Sequence, residues 1–155
     1  YRLYGDVFME YRILKSEEME KAFALREEVF VDEQKVPLEY EIDKKDSLED
    51  TIHVGVFEGD ELLATARIMN INKDIVYFGR ACVKKSRRGK GVGKFLFINM
   101  EETVKKFKKG NEKKTIRFSA QYHAMTFYEM LGYTKDNDDI FVEVGIEHIS
   151  MSKIV

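Results

Sequence analysis

Apolar residues recur along this chain in two rhythms, and the places where one gives way to the other mark its elements. Residues 10–14 (EYRIL) read as a short strand. Ser16 then caps a helix whose first turn carries Glu17 and Glu18, where the helix dipole favours acids. Met19, Ala22, Phe23 and Phe30 fall near one face of that helix, and Pro37, the single proline, ends regular structure. Residues 39–50 read as an acidic loop. Strands are predicted at 53–58 and 61–69, joined by a turn at Gly59-Asp60, and a third at 75–83 (IVYFGRACV). After a basic turn at 84–93 comes a helix with Val92, Phe95, Leu96, Met100, Val104 and Phe107 as its buried stripe. Lys105, Lys106, Lys108 and Lys109 suit its C-terminal end, and Gly110 stops it. Residues 115–120 form a strand, 124–131 a short helix stopped by Gly132, and 140–145 and 148–154 two closing strands. The order predicts an α/β (α+β) domain: a mixed, mostly antiparallel central sheet flanked by helices.

At 155 residues this is one domain's worth of chain, large enough to bury a core without disulfides or metals. With 44% apolar and 35% charged residues it is not a disordered composition. A single cysteine makes neither an intramolecular disulfide nor a CxxC zinc site, and no metal is expected. No stretch is apolar enough to span a membrane, and no basic-then-apolar leader is visible, so a cytoplasmic location is expected. The formal net charge of −2 argues against nucleic acid as a partner. Met9 opens text that looks like a natural start, so residues 1–8 are read as vector-derived or an upstream extension and residues 9–155 as the domain.

The most informative stretch runs from Ala81 to Lys94. A strand enters a tight turn, and the turn opens a helix. Six of the eleven residues from Lys84 to Lys94 are basic and none is acidic. Gly89, Gly91 and Gly93 let backbone N–H groups approach a ligand at the positive end of a helix dipole, which suits a phosphate or pyrophosphate. A P-loop is excluded by spacing and by the missing hydroxyl after Lys94. A dinucleotide fingerprint is excluded because Lys94 or Leu96 stands where its third glycine belongs. A solvated, glycine-capped basic turn is the plainer reading.

Arg88-x-x-Gly91-x-Gly93, placed between that strand and that helix, resembles the coenzyme A signature of the GNAT superfamily of N-acetyltransferases. Downstream, Ala124-x-x-Phe127-Tyr128-x-x-Leu131-Gly132-Tyr133 is similar to a second segment of the superfamily, with Gln121 where many members carry Asn. Further segments, Leu25 to Pro37, Glu41-x-Asp43, His53 and Glu143 to Met151, resemble its ElaA/YjcF-like branch. The resemblance covers about residues 9–153 and implies a single GNAT domain.

It also implies transfer of an acetyl group from acetyl-CoA to a primary amine of a small molecule or peptide, by direct attack in a ternary complex. Ala81, Cys82 and Val83 would meet the pantetheine arm through their main chain. Arg88, Gly89, Lys90, Gly91, Val92, Gly93 and Lys94 would cradle the pyrophosphate, with Gln121, Ala124, Phe127 and Tyr128 completing the cofactor site. Tyr128 is the candidate acid for the departing thiolate, or an aromatic packed under the cofactor. Glu143, His148, His53 and Glu33 are candidates for the base, and Arg26, Glu33, Gln34 and His53 could line the acceptor cleft with Glu143 and His148. Cys82 is read as a buried strand residue rather than a nucleophile, and His123 as a surface or packing residue. The acidic stretch 39–50 fits either a cationic acceptor or, more simply, a solvated loop. The same motifs would suit a non-catalytic acyl-CoA-binding sensor. The C-terminal strand could pair within the sheet or across a homodimer.

Overall fold

The computed structural model describes residues 2–4, 7–41 and 43–155. Its strands are β1 (Arg2–Tyr4), β2 (Val7–Ile13), β3 (Ile52–Glu58), β4 (Glu61–Met69), β5 (Ile75–Val83), β6 (Thr115–Gln121), β7 (Thr134–Glu143) and β8 (Ile146–Ile154). The helices are α1 (Met19–Arg26), α2 (Leu38–Glu41), α3 (Val92–Lys106) and α4 (Met125–Met130). One eight-stranded sheet runs in the order β1-β2-β3-β4-β5-β6-β8-β7. Every pairing is antiparallel except β5 with β6. Within the segment read as an extension, positions 1, 5 and 6 lie outside the described residues. Arg2–Tyr4 and the start of β2 join the sheet, with Arg2 opposite Met9.

The alternation along each strand separates two apolar layers. Val54, Val56, Leu63, Ala64, Ile116 and Phe118 face α3, whose Phe95, Leu96, Phe97, Met100 and Val104 complete the main core. Phe57, Leu62 and Cys82 point to the opposite face, where α1 covers them with Ala22 and Leu25. The α3 stripe is as predicted except at Phe107, which is 37% exposed because the helix has already ended at Lys106. At the other end of the chain, Val144 (φ 46°) and Gly145 (φ 81°) form a two-residue turn between β7 and β8. β7 therefore ends at Glu143 rather than 145 and β8 begins at Ile146 rather than 148, while β7 starts at Thr134 rather than 140.

Residues 39–50 depart most from expectation. They form α2 and a 3₁₀ turn at Lys44–Ser47 rather than an irregular solvated loop. Three of their six acids, Glu41, Asp43 and Asp46, engage three arginines over the α1 face. Arg26, 1% exposed, donates Nε to Glu41 (2.6 Å) and both Nη groups to Asp46 (2.8 and 3.1 Å). Arg67, 3% exposed, reaches Asp43 (2.7 Å) and Asp46 (2.9 Å). Arg80 reaches Asp43 (3.1 Å) and the carbonyls of Tyr40 and Glu41. The network pins this segment against β4 and β5, because each buried charge requires a hydrogen-bonded partner.

Candidate active site

The sheet is not closed at its centre. The parallel pairing of β5 with β6 covers Ile75–Tyr77 opposite Thr115–Arg117 and goes no further. The cause lies on the other side of β5. Its register with β4 passes from Thr65↔Cys82 to Arg67↔Gly79, so Ala66 faces two residues, Arg80 and Ala81. Arg80, the first of the two, takes the left-handed conformation (φ 52°). A bulge bends its strand, and the bent end of β5 diverges from β6. Ala81, Cys82 and Val83 therefore lie on the open lip of a wedge between the two strands.

The basic turn closes the β5 end of the wedge. Gly89 (φ 75°) and Gly91 (φ 80°) hold it in conformations costly for other residues. Gly91 is the N-cap of α3, and no side chain caps that terminus. The first N–H groups of a helix have no intrahelical partner, so those of Val92, Gly93 and Lys94 face outward at the positive end of the dipole. Gly93 sits tightly under α4: a Cβ there would lie 3.3 Å from Phe127 and 3.6 Å from Val83. The basic residues divide into two sets. Arg87 pairs with Glu58 and Glu61, Lys84 with Glu61, and Arg88 with Glu33. Among the described residues, no ion pair engages Lys85, Lys90 or Lys94.

Under the wedge on the α3 face lies an aromatic cluster. Tyr128 packs at 4.7 Å from Phe118, 5.1 Å from Phe97 and 5.2 Å from Phe127, measured between ring centroids. Ala124 leads into α4 and places Phe127 and Tyr128 there. Burial pushes the Tyr128 phenol up to about 12, so it holds its proton throughout the neutral range. Among the described residues its hydroxyl makes no hydrogen bond. Cys82 is buried and its thiol is likewise pushed up to about 12 by burial, which leaves no thiolate for nucleophilic chemistry.

The remaining candidates lie on the α1 face. Gln121, the last residue of β6, is opposite His148 on β8, and His148 is opposite Phe141 on β7. His148 is buried and its ring stacks on Phe141 at 5.9 Å. Its Nδ1 meets the Ile146 carbonyl at 2.7 Å, so in the neutral ring Nε2 is the acceptor nitrogen. Gln121 exchanges two amide hydrogen bonds with Gln34 (3.0 and 2.9 Å) and accepts one from the exposed His123 (2.7 Å). Glu143 pairs with Ile146 at the exposed tip of the hairpin, two residues beyond the His148 level and on the same face. Glu33 is bound to Arg88. His53 bonds the Asp46 carbonyl at 3.0 Å, and burial lowers its pKa, keeping it neutral at pH 7. Arg26 is a correction: expected at an acceptor cleft, it is sealed under α2 with its guanidinium filled by Glu41 and Asp46. The sequence analysis missed the Gln34–Gln121 pair, because nothing in the spacing of residues 87 apart announces a contact.

The wedge, bulge and uncapped glycine turn are accompanied by a match to the family model "Acetyltransferase (GNAT) domain" over residues 13–155. This chain belongs to the GNAT acetyltransferase family. It is 36% identical over 142 residues to the uncharacterized N-acetyltransferase YjcF of Bacillus subtilis, covering 91% of this chain and 96% of that one. It is 35% identical over 133 residues to protein ElaA of Escherichia coli, covering 84% of each. The crystal structure of E. coli ElaA superposes with a TM-score of 0.82, covering 94% of this chain and 99% of that chain. An aminoglycoside 6'-N-acetyltransferase complexed with coenzyme A shares the fold, with a TM-score of 0.71 over 94% of this chain and 96% of that chain at 15% identity. Among the described residues, no helix is long and apolar enough to cross a membrane.

Proposed function

We propose that this GNAT protein is an N-acetyltransferase that passes an acetyl group from acetyl-CoA to a primary amine in a ternary complex. The observation that carries this reading is the bulge-opened wedge ending at an uncapped, glycine-lined helix N-terminus. The residues present fit acetyl-CoA: an open strand edge for the amide-bearing arm, outward N–H groups for the pyrophosphate, and Lys85, Lys90 and Lys94, which pair with no acid among the described residues, for the remaining phosphate charge.

The amine nitrogen attacks the thioester carbonyl carbon, forming the C–N bond, and a main-chain N–H of the β5 lip stabilises the oxyanion. Collapse of the tetrahedral intermediate breaks the C–S bond, and the Tyr128 hydroxyl gives its proton to the leaving thiolate. The proton lost by the amine passes to His148 or Glu143 on the α1 face, directly or through water. Donor and acceptor thus approach from opposite faces of the sheet and meet where it is split. The amine-bearing molecule of the aminoglycoside enzyme's name illustrates the substrate class and does not specify it here.

Calorimetric titration tests the reading. Acetyl-CoA and coenzyme A are expected to bind at micromolar concentration, with ATP much weaker. Thiol release should then depend on an added amine. Gly91→Val forces a β-branched residue to φ 80° and is expected to weaken coenzyme A binding at least tenfold, about 1.4 kcal/mol. Failure of both coenzyme A forms to bind at millimolar concentration would reject the reading. Tight binding without turnover across a broad amine panel would favour an acyl-CoA sensor instead.

A further inference from the structure

We infer that Glu33 and Gln34 form a strap across the mouth of the wedge, fastened to Arg88, and that a pyrophosphate-bearing donor unfastens it and exposes Glu33 to a cationic acceptor. The inference rests on the acetyl-CoA reading of the same wedge and adds how its two ligand sites communicate.

The sheet itself makes no register pair between β5 and β6 beyond Tyr77. The lips are bridged instead by two adjacent residues from the α1 face. Glu33 ends a wide helical turn, Glu27–Glu33, that follows α1. Its two carboxylate oxygens accept from both Nη groups of Arg88 at 2.8 and 3.0 Å, on the β5 side. Gln34 makes its reciprocal amide pair with Gln121 at the end of β6. One dipeptide therefore holds both lips.

Its two fastenings differ in kind. The Gln34–Gln121 pair is neutral and part-buried, and an anion does not compete for it. The Arg88 pair is charged and accessible, with side chains 43% and 24% exposed, so its net contribution is small and it exchanges readily. Arg88 is also singular among the paired cations of its turn. Lys84 and Arg87 are answered by Glu58 and Glu61 of the β3–β4 hairpin. Arg88 is answered by a carboxylate from across the sheet. A phosphate presents the same paired oxygens to a guanidinium with more charge, and so displaces a carboxylate.

Glu33, once released, is an unneutralised carboxylate on the face that carries Gln121 and His148. It would attract an acceptor that arrives as an ammonium ion. An acceptor meeting the donor-free protein finds Glu33 already neutralised by Arg88. Glu33 acts here as a positioning residue, and the coupling runs in both directions, as linkage requires.

Three backbone bonds report on the strap: Gln34 N–H to Val29 O (3.1 Å), Lys35 N–H to Val31 O (3.1 Å) and Val36 N–H to Phe30 O (2.9 Å). Hydrogen exchange at these amides, with calorimetry, tests the proposal on the full chain, using coenzyme A as the probe. In the native protein, coenzyme A is expected to speed exchange at 34–36 at least threefold. In Glu33→Ala, exchange is expected to be fast already and insensitive to coenzyme A, with affinity for coenzyme A two- to fivefold tighter. Glu33→Gln keeps the shape and is expected to move both readouts in the same direction by less. Weaker binding in both variants overturns the strap, because Glu33 then only positions Arg88 for the ligand. Unchanged affinity and exchange with coenzyme A bound also overturns it while leaving the acyltransferase reading intact. No binding by either the native or variant protein removes both.

Discussion

Tyr128→Phe is expected to slow acetyl transfer about a hundredfold while leaving coenzyme A affinity within about twofold. General acid catalysis of this kind contributes typically 10²–10⁴-fold. The substitution deletes one hydroxyl and keeps the ring that packs among Phe97, Phe118 and Phe127. The hydroxyl makes no hydrogen bond among the described residues, so its removal orphans no partner and should cost little stability. Since the phenol is held at about 12, the proton is present across the working range, and the deficit should be similar at pH 7 and pH 9. A residue acting through charge near neutrality would show a deficit that varies between these two pH values. Steady-state thiol release with a good amine measures it. Turnover within threefold of the native rate would make Tyr128 a packing ring and return the departing thiolate's proton to water.

The second large effect concerns folding. Arg26→Ala is expected to destabilise the protein by about 3–5 kcal/mol, since it removes the buried guanidinium that hydrogen-bonds both Glu41 and Asp46. For a domain of this size that is roughly a 6–20 °C fall in melting temperature. Glu41 (2% exposed) loses its hydrogen-bonded guanidinium and keeps only Arg80 at 3.7 Å, whereas Asp46 retains Arg67 at 2.9 Å. The loss should therefore shrink when Glu41 is replaced by leucine in the same background. The network also predicts acid sensitivity. Burial alone would raise the Asp46 carboxyl, but the hydrogen bond and charge of Arg26, then those of Arg67, hold it below the usual range. Asp43 is held low in the same way by Arg67 and Arg80. A carboxylate whose folded pKa is depressed contributes stability that is complete above its unfolded value and lost as pH falls through the folded one. Melting temperature should thus hold steady above about pH 5, then drop below pH 4. Arg26→Ala should flatten that drop. An acid limb unchanged by the substitution would place the sensitivity elsewhere.

Local chemistry made much of this architecture legible. Strands β4 and β5 fall at the positions read from alternation, because their turns are marked by glycine and polar residues. The glycine turn into α3 was equally legible as local geometry, since Gly89 and Gly91 take left-handed conformations and Gly91 opens the helix. What escaped was long-range. Glu41, Asp43 and Asp46 look like solvated acids until the fold brings Arg26, Arg67 and Arg80 over them. Glu33 stood out as a cleft candidate, but its partner did not: Arg88, 55 positions away, takes both its oxygens. The β7–β8 turn was misplaced because Val144-Gly145 lacks the Asn-Gly or Asp-Gly usual in such turns. The wide helical turn after α1 breaks the 3.6-residue rhythm on which helical faces are read, so the direction of Glu33 and Gln34 could not be counted out.

The short parallel pairing has a mechanical consequence. Five strands lie on one side of it and three on the other, joined within the sheet by three register pairs. Among the described residues only the terminal β1–β2 pairing is as short, so under tension applied across the sheet the two lobes should part along this seam. A molecule seated between the lips and bonded to both would act as mortar. The rupture force of single molecules should then rise when the groove is filled, reading occupancy without any chemistry taking place.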